Sequence, residues 1–323
     1  MSAGIVRAVA GAVLLLGVSA ASAADWPSRP VRWIVPYPPG GGTDVLARVL
    51  GDVMSDSLGQ PFVVDNRPGA ATIVGAQAAA AAAPDGYTLM SADNATLVNN
   101  AAIYPKLPYD PVKDLAPVSL IGRFPLVLVA GAATGIRDFA DWRARVAADP
   151  GRFNYATSGI GSPFHVGMEF IARQEGLVLT HVPYKGMAPA LQDLLAGEVQ
   201  TMLVDVATAL PHIEAGKLVA LATAGAVRNP RLPQVPTFLE LGVADGEFYA
   251  WQGVVVPGPT PADVRQRIGE ALRQAIGSER VTRKMAELGI EPLSSTPQEM
   301  AAYREAETVR WHRLIRERGI RIE

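Results

Sequence analysis

Short apolar runs alternate with stretches of helical spacing along most of the chain. Val31-Arg32-Trp33-Ile34-Val35 has the length and composition of a buried strand and runs into the breaker-rich segment Pro36 to Gly42. From Thr43 to Leu58 the positions Val45, Leu46, Val49, Leu50 and Val53 fall on one helical face, and Gly59 closes the helix. Phe62-Val63-Val64 predicts a second strand, Asn66-Arg67-Pro68-Gly69 a turn, and the alanine-rich Ile73 to Ala83 a helix stopped by Pro84. Tyr87 to Met90 predicts a third strand. This strand-helix alternation implies a parallel sheet with right-handed crossovers. Tyr104 to Val118, with four prolines, reads as irregular. Strands are then expected at Leu126–Val129, Phe153–Tyr155, His181–Tyr184, Thr201–Val204, Leu218–Thr223 and Gly253–Val256. Helices are expected at Asp138–Ala148, Ser162–Gln174, Ala188–Leu195, Ala209–Ala215, Pro261–Ile276 and Pro297–Arg318.

The N-terminus follows a different pattern. Arg7 precedes an apolar run, Ala8 to Val18, and Ala21-Ser22-Ala23 supplies small residues for a signal peptidase. The run is shorter than the roughly 20 apolar residues of a membrane span, so a cleaved signal peptide (1–23) is expected. A chain of 323 residues that is 49% hydrophobic and 19% charged can bury a large core and commonly divides into two lobes. A net charge of -2 gives no basic face for nucleic acid, and little long-range pull on an anion. The sequence has no cysteine, which excludes disulfides, thiolate chemistry and an acylated N-terminal cysteine. An untethered monomeric exported protein, retained between two bacterial membranes, fits that composition. The four histidines, at 165, 181, 212 and 312, have no metal-ligand spacing, so no metal and no cofactor are expected.

Ligands of open α/β sheets bind beyond the carboxyl ends of strands, where helices begin. Four such loops stand out. Tyr37-Pro38-Pro39-Gly40-Gly41-Gly42-Thr43-Asp44 leaves bare N–H groups at a helix N-terminus, which suits an anion. The same residues also fit a plain turn capped by Thr43, with Asp44 capping the helix rather than meeting an anion. No Lys-Ser/Thr pair follows, so the loop is not a Walker phosphate loop. Asn66 to Thr72 again sets small residues before a helix, and Arg67 fits either a ligand carboxylate or an ion pair within its lobe. Ala156 to His165 places Ser162 and Pro163 as a helix start, with Thr157, Ser158 and Ser162 hydroxyls nearby and His165 on the first exposed rung. Asp205 ends a strand, where it fits a helix cap or a ligand contact.

Taken in order, these stretches resemble the Bug-type substrate-binding proteins of tripartite tricarboxylate transporters. The segments are PYPPGGGTDVLAR, VDNRPGA, PDGYTLM, LPYDPVKDLAPVSLI, NYATSGIGSPFHVGMEF, HVPYKGMAPALQDLLAGEV, LPHIEAGKLVALAT, RLPQVPTFLELG and GVVVP. The resemblance covers about Trp26 to Arg316. It implies an α/β, two-lobed type II periplasmic-binding fold that closes on its ligand, each lobe a mostly parallel sheet flanked by helices. It implies a small carboxylate as ligand (di- or tricarboxylate, acidic amino acid or aromatic acid) and membrane transporter subunits as partners. The family holds one carboxylate between the first glycine loop and the second-lobe loop. That maps to Tyr37, Gly41, Gly42, Thr43 and Asp44 on one side, and to Thr157, Ser158, Gly161, Ser162 and His165 on the other. Ala70, Ala71, Asp93, Asn94 and Asp205 map to contacts that tune specificity. Two departures touch those tuning positions: Ala71-Thr72 where the family often has glycines, and Leu203-Val204 before Asp205 where it often has Phe-Asp.

The expected lobes are 24–124 with 248–323, and 125–247. No catalytic residue is expected. Two other readings stay open. A ligand-presenting sensory protein would use the same closed surface. A hydrolase would need Ser162, His165 and Asp205, but the G-x-S-x-G elbow is absent.

Overall fold

The computed structural model describes residues 26–322; the signal-peptide segment lies outside them. The chain forms two sheets. The first lobe opens with β1 (Val31–Val35), α1 (Gly42–Leu58), β2 (Phe62–Asn66), α2 (Ile73–Ala80) and β3 (Thr88–Asp93). A π-helical turn, Ala95–Asn99, leads into α3 (Asn100–Ile103), and β4 (Leu115–Phe124) follows. At Pro125 the chain passes to the second sheet. That region comprises β5 (Leu126–Gly131), α4 (Phe139–Ala148), β6 (Asn154–Thr157), α5 (Pro163–Gln174), β7 (Thr180–Pro183), α6 (Met187–Ala196), β8 (Thr201–Asp205), α7 (Val206–Glu214) and β9 (Leu218–Thr223). β10 (Ala250–Pro257) returns to the first sheet, followed by α8 (Ala262–Ile276), α9 (Glu279–Glu287), β11 (Glu291–Pro292) and α10 (Pro297–Glu317).

The first sheet has the order β11-β4-β10-β3-β1-β2, with β1 parallel to β2 and β3, and β10 inserted antiparallel between β3 and β4. The second has the order β7-β6-β8-β5-β9, parallel from β7 to β8, with β5 antiparallel to both neighbours. Both sheets are flanked by helices, as expected, but they are mixed and not mostly parallel: β3, β10, β4 and β11 pair antiparallel in the first, and β8, β5 and β9 do so in the second. β1 explains itself: Val31, Trp33, Ile34 and Val35 are all fully buried, the near-continuous apolar run of a strand covered on both faces.

Several elements depart from the sequence expectation. The proline-rich pattern predicts irregular chain through Val118, yet β4 begins at Leu115 and carries Pro117. Proline is tolerated there because the register against β10 shifts between Val254 and Val255, the point where Pro117 pairs. β2 runs on to Asn66, which pairs with Val35, so Asn66 belongs to a strand and not to the turn. The helical segment from Ala95 to Ile103 and helix α9 were not anticipated. In α9 only Val281 and Met285 are buried, too sparse a stripe to read.

Candidate functional site

The first glycine loop starts α1, with Gly41 as the N-cap and no capping side chain. This corrects the alternative of a Thr43 cap. Thr43 lies inside the first turn, where its Oγ1 accepts a hydrogen bond from Gln252 Nε2 of β10. Gly42 is close-packed: a Cβ there would stand 3.4 Å from Phe124. Asp44 is 2% exposed. Its carboxylate accepts from Gly40 N–H (2.9 Å), Arg48 Nε and Nη2 (3.0 and 2.9 Å) and Asn66 Nδ2 (2.8 Å). Burial pushes this carboxyl up, but the hydrogen bonds from Arg48, Gly40 and Asn66 outweigh it and hold the group below its ordinary value.

The other loops of the first lobe join through one hydrogen-bonded chain. The Tyr37 hydroxyl donates to Asp93 Oδ2. Asp93 Oδ1 accepts from both the backbone N–H and the hydroxyl of Thr96, at 2.9 Å each. Thr96 and Thr72 hydroxyls meet at 2.8 Å. Asn100 Nδ2 then donates to the Ala71 carbonyl (2.8 Å). Tyr37, Ala71 and Asp93 are thus brought together, with Ala70 beside Ala71 on the loop. Asn94 faces elsewhere: its side chain accepts from Trp251 N–H (2.8 Å) and donates to the Tyr249 carbonyl, tying β3 to β10. Arg67 pairs with Asp65 at 2.9 Å, the ion pair within the lobe.

In the second lobe Ser162 caps α5, accepting from His165 N–H (3.2 Å), with Pro163 at the first helical position. His165 is not on an exposed rung. It is 5% exposed, and its ring stacks on His181 with centroids 3.8 Å apart and planes 11° apart. His165 Nδ1 accepts from Gly161 N–H (3.1 Å), and His181 Nε2 meets Thr157 Oγ1 at 2.6 Å. Burial lowers His165 to about 3, helped by His181, and lowers His181 to about 4 against the opposing pull of Glu169. Thr157 is fully buried under this stack, while Ser158, Ser162 and Gly159 remain partly exposed. Asp205 caps α7 through Thr208 N–H and Oγ1, both at 2.8 Å, and burial raises its carboxyl despite those bonds. His165 Nδ1 is turned to the Gly161 N–H, and the hydrogen bond that joins Ser162 to His165 is the helix cap, in which Ser162 Oγ accepts from the His165 backbone.

The two lobes meet where Asn99 Nδ2 donates to the Gly161 carbonyl (2.9 Å). Thr96, Asn99, Asn100 and Gln252 are therefore residues of the site region that the sequence did not single out. Their signal is tertiary: each lies on an unanticipated or under-drawn element and touches a residue distant in sequence. Neither the Thr43 nor the Ser162 hydroxyl has a protein acceptor among the described residues, although each already accepts one N–H. No candidate position carries Lys or Arg.

Two helix-flanked sheets, joined by crossings at Pro125 and before β10, define a two-lobed periplasmic-binding-protein fold. The family model described as tripartite tricarboxylate transporter family receptor matches residues 46–320. The chain is 37% identical to BugT of Bordetella pertussis over 95% of each chain. It superposes on the R. palustris protein Rpa4515, solved with adipate, with a TM-score of 0.85 and 34% identity, covering 92% of this chain and all of that one (100%). MatC from Rhodopseudomonas palustris, with bound malate, gives a TM-score of 0.80 and 32% identity over 90% of this chain and 100% of the other. The chain belongs to the tripartite tricarboxylate transporter receptor family.

Proposed function

We propose that this chain is a non-catalytic periplasmic receptor that closes on one small organic carboxylate and presents it to membrane transporter subunits. One observation carries the reading. At the starts of α1 and α5, Thr43 and Ser162 each accept a protein N–H and keep the hydroxyl proton to donate. Helix N-termini add positive dipole ends, and no Lys or Arg at the candidate positions is needed to hold the charge. The relatives solved with adipate and malate support an acid as ligand. Tyr37, Gly41, Gly42, Ser158 and Gly161 complete the cradle. Ala70, Ala71, Asp93 and Asp205 border it, and Asp44, Asn94, Thr157 and His165 shape it from behind. The proposed lobe boundaries are 124/125, between β4 and β5, and 247/248, in the segment that leads from β9 into β10. Export by a cleaved leader places the monomer in the periplasm.

The test is a thermal-shift screen of protein unfolded and refolded to strip bound metabolite. A ligand at a hundred times its dissociation constant adds about 2.7 kcal/mol, a rise of a few degrees at this chain length. Stabilisation by an acid and not by its amide is the expected result. The double variant Thr43→Ala/Ser162→Ala should then bind that acid at least tenfold more weakly with an unchanged circular dichroism spectrum, since two charge-assisted hydrogen bonds are lost. Unchanged affinity would place the carboxylate elsewhere.

A further inference from the structure

Strand β9 forms one edge of the second sheet, with β5 on its inner side. Its outer side makes one bridge, to Thr237 running parallel. There Thr223 N–H donates to the Pro236 carbonyl and the Thr223 carbonyl accepts from Phe238 N–H, at 2.9 Å each. Continued backwards in that register, residues 233–235 would lie beside Val219 to Leu221. The chain turns away instead, with Val235 N–H bonded to the Leu232 carbonyl (3.0 Å). Among the described residues no backbone hydrogen bond reaches the outer side of Leu218 to Leu221.

A cavity of about 450 Å³ lies along this open edge. It is lined by four successive strand residues, which face two ways. Leu218 and Ala220 share a core with Ile213 and Val235, on the α7 side. Val219 and Leu221 share another with Phe139 and Leu241, on the α4 side. A cavity lined from both faces straddles the sheet edge, as one further strand would. Natural edges are blunted by charges, prolines or bulges. Leu218–Thr223 has neither charge nor proline, and its bulge against β5 falls at Leu221, towards the bridged end. One cation lines the cavity with its charge little used. Arg137 is 80% exposed and stands 3.4 Å from Asp141, a carboxylate that Arg145 holds more closely at 2.8 Å. Asp138, the other charged lining residue, accepts the Asp141 N–H as the cap of α4 (2.8 Å).

We propose that the β9 edge is a docking site for a short extended segment of a membrane transporter subunit, which adds to the second sheet as a sixth strand. The identity of the partner rests on the receptor reading above. Main-chain hydrogen bonds supply the attachment, and alternate side chains enter the two apolar walls. The segment is therefore apolar at successive positions, lacks proline where it pairs, and carries an acidic residue for Arg137. A second copy of this chain fits less well. Leu218 and Leu221 are 3% and 1% exposed, so a second β9 would be recessed behind the same walls. A lone strand can enter such a slot, and an edge that is itself walled cannot.

The probe is a fluorescein-labelled peptide, Glu-Val-Ile-Val-Thr, titrated by anisotropy beside a control with proline at the centre. The protein should bind the first about tenfold more tightly or better, because proline removes a ladder donor. Ala220→Lys sets a long charged side chain in the slot and should weaken binding by about tenfold. Arg137→Glu should weaken it by about threefold, and by less for a peptide with Gln in place of Glu. Both variants should keep the wild-type affinity for the acid that stabilises the protein, so this proposal and the receptor reading fail separately. If Ala220→Lys does not fold, Arg137→Glu and the proline control decide. Equal binding of the two peptides, binding of neither at about 1 mM, or unchanged affinity in Ala220→Lys overturns the proposal. A wild-type dimer in light scattering that Ala220→Lys dissociates assigns the slot to a second copy and overturns the choice of partner.

Discussion

Asp44 illustrates how an acidic residue can stand at an anion site without opposing it. Its negative charge is spent on Arg48, Asn66 and the Gly40 N–H, so it shapes the glycine loop instead of facing the cleft. Asp44→Ala should cost about 2–3 kcal/mol in urea-induced unfolding, from loss of charge-assisted hydrogen bonds to a buried carboxylate. The stacked histidines give a second prediction at this scale. Their folded values, about 3 for His165 and about 4 for His181, lie below the ordinary value of 6.5. Both are neutral in the fold, while the unfolded chain protonates them near pH 6.5. Stability contributed by their neutral burial is therefore full above pH 6.5 and falls as pH drops towards 4. Glu169, itself held by Arg318 and Tyr155, partly offsets this at His181. Between pH 7 and pH 5 the wild type should lose stability, and His165→Asn/His181→Asn should lose less; parallel losses would detach the stack from the acid response. Sequence spacing could not reveal this pair. His165 and His181 sit on a helix and a strand whose closeness depends on the β6–β7 register, in which Tyr155 pairs with His181.

At the level of elements, most of the fold was legible because its strands are short apolar runs ended by breakers. The strand-to-helix loops after β1, β2 and β6 were legible as loops for the same reason. What escaped were elements whose signal is weak or contradictory: β4 with its proline at a bulge, the polar α9, and the helical turn carrying Thr96, Asn99 and Asn100. The loop before α2 is a different case. Ala70, Ala71 and Thr72 have φ of 44°, 49° and 76°, three successive residues with side chains in the left-handed region. This is the place where the sequence departs from a glycine pattern, and the departure carries a backbone penalty of about 1–2 kcal/mol per residue. Ala71→Gly removes that penalty and restores some unfolded-state entropy cost, for a net stabilisation of about 0.5–1 kcal/mol. Ala78→Gly, in the body of α2, should do the opposite and destabilise by about 1 kcal/mol. Urea midpoints of the two variants, moving in opposite directions, would establish the strain; movement of both downward would contradict it.

At the scale of the molecule, each sheet has a core of its own, around Trp33 and Leu50 in the first and Val129 and Met202 in the second, and the two share a third. The largest core joins Ile34, Met90 and Leu120 of the first sheet to Leu126, Tyr155 and Leu203 of the second, and runs on into Trp311, Leu314 and Ile315 of α10. That last helix clasps the second lobe from the first. Trp311 meets Phe170 and Phe248 edge-on at 5.8 and 5.9 Å, and the ion pairs Arg318–Glu169 (2.5 Å) and Arg173–Glu317 (2.7 Å) flank it. A receptor that closes needs lobes able to move, yet here they share buried surface on the α10 side. In the proposed closure the packed α10 side is the expected pivot and the loops around Gly41 and Ser162 the opening edge, which carries the Asn99–Gly161 hydrogen bond and the packing of Ile103 on Gly161. The shared core also predicts one cooperative unfolding transition for the whole chain, with fluorescence and far-ultraviolet circular dichroism coincident. Trp311→Ala removes the ring that joins α10 to α5, with an expected loss of about 3–5 kcal/mol. Because that loss falls on the joint and not on either sheet alone, the variant should unfold in two steps. A variant that still unfolds in one step, merely at lower urea, would mean the sheets are coupled mainly through the strand crossings at Pro125 and β10.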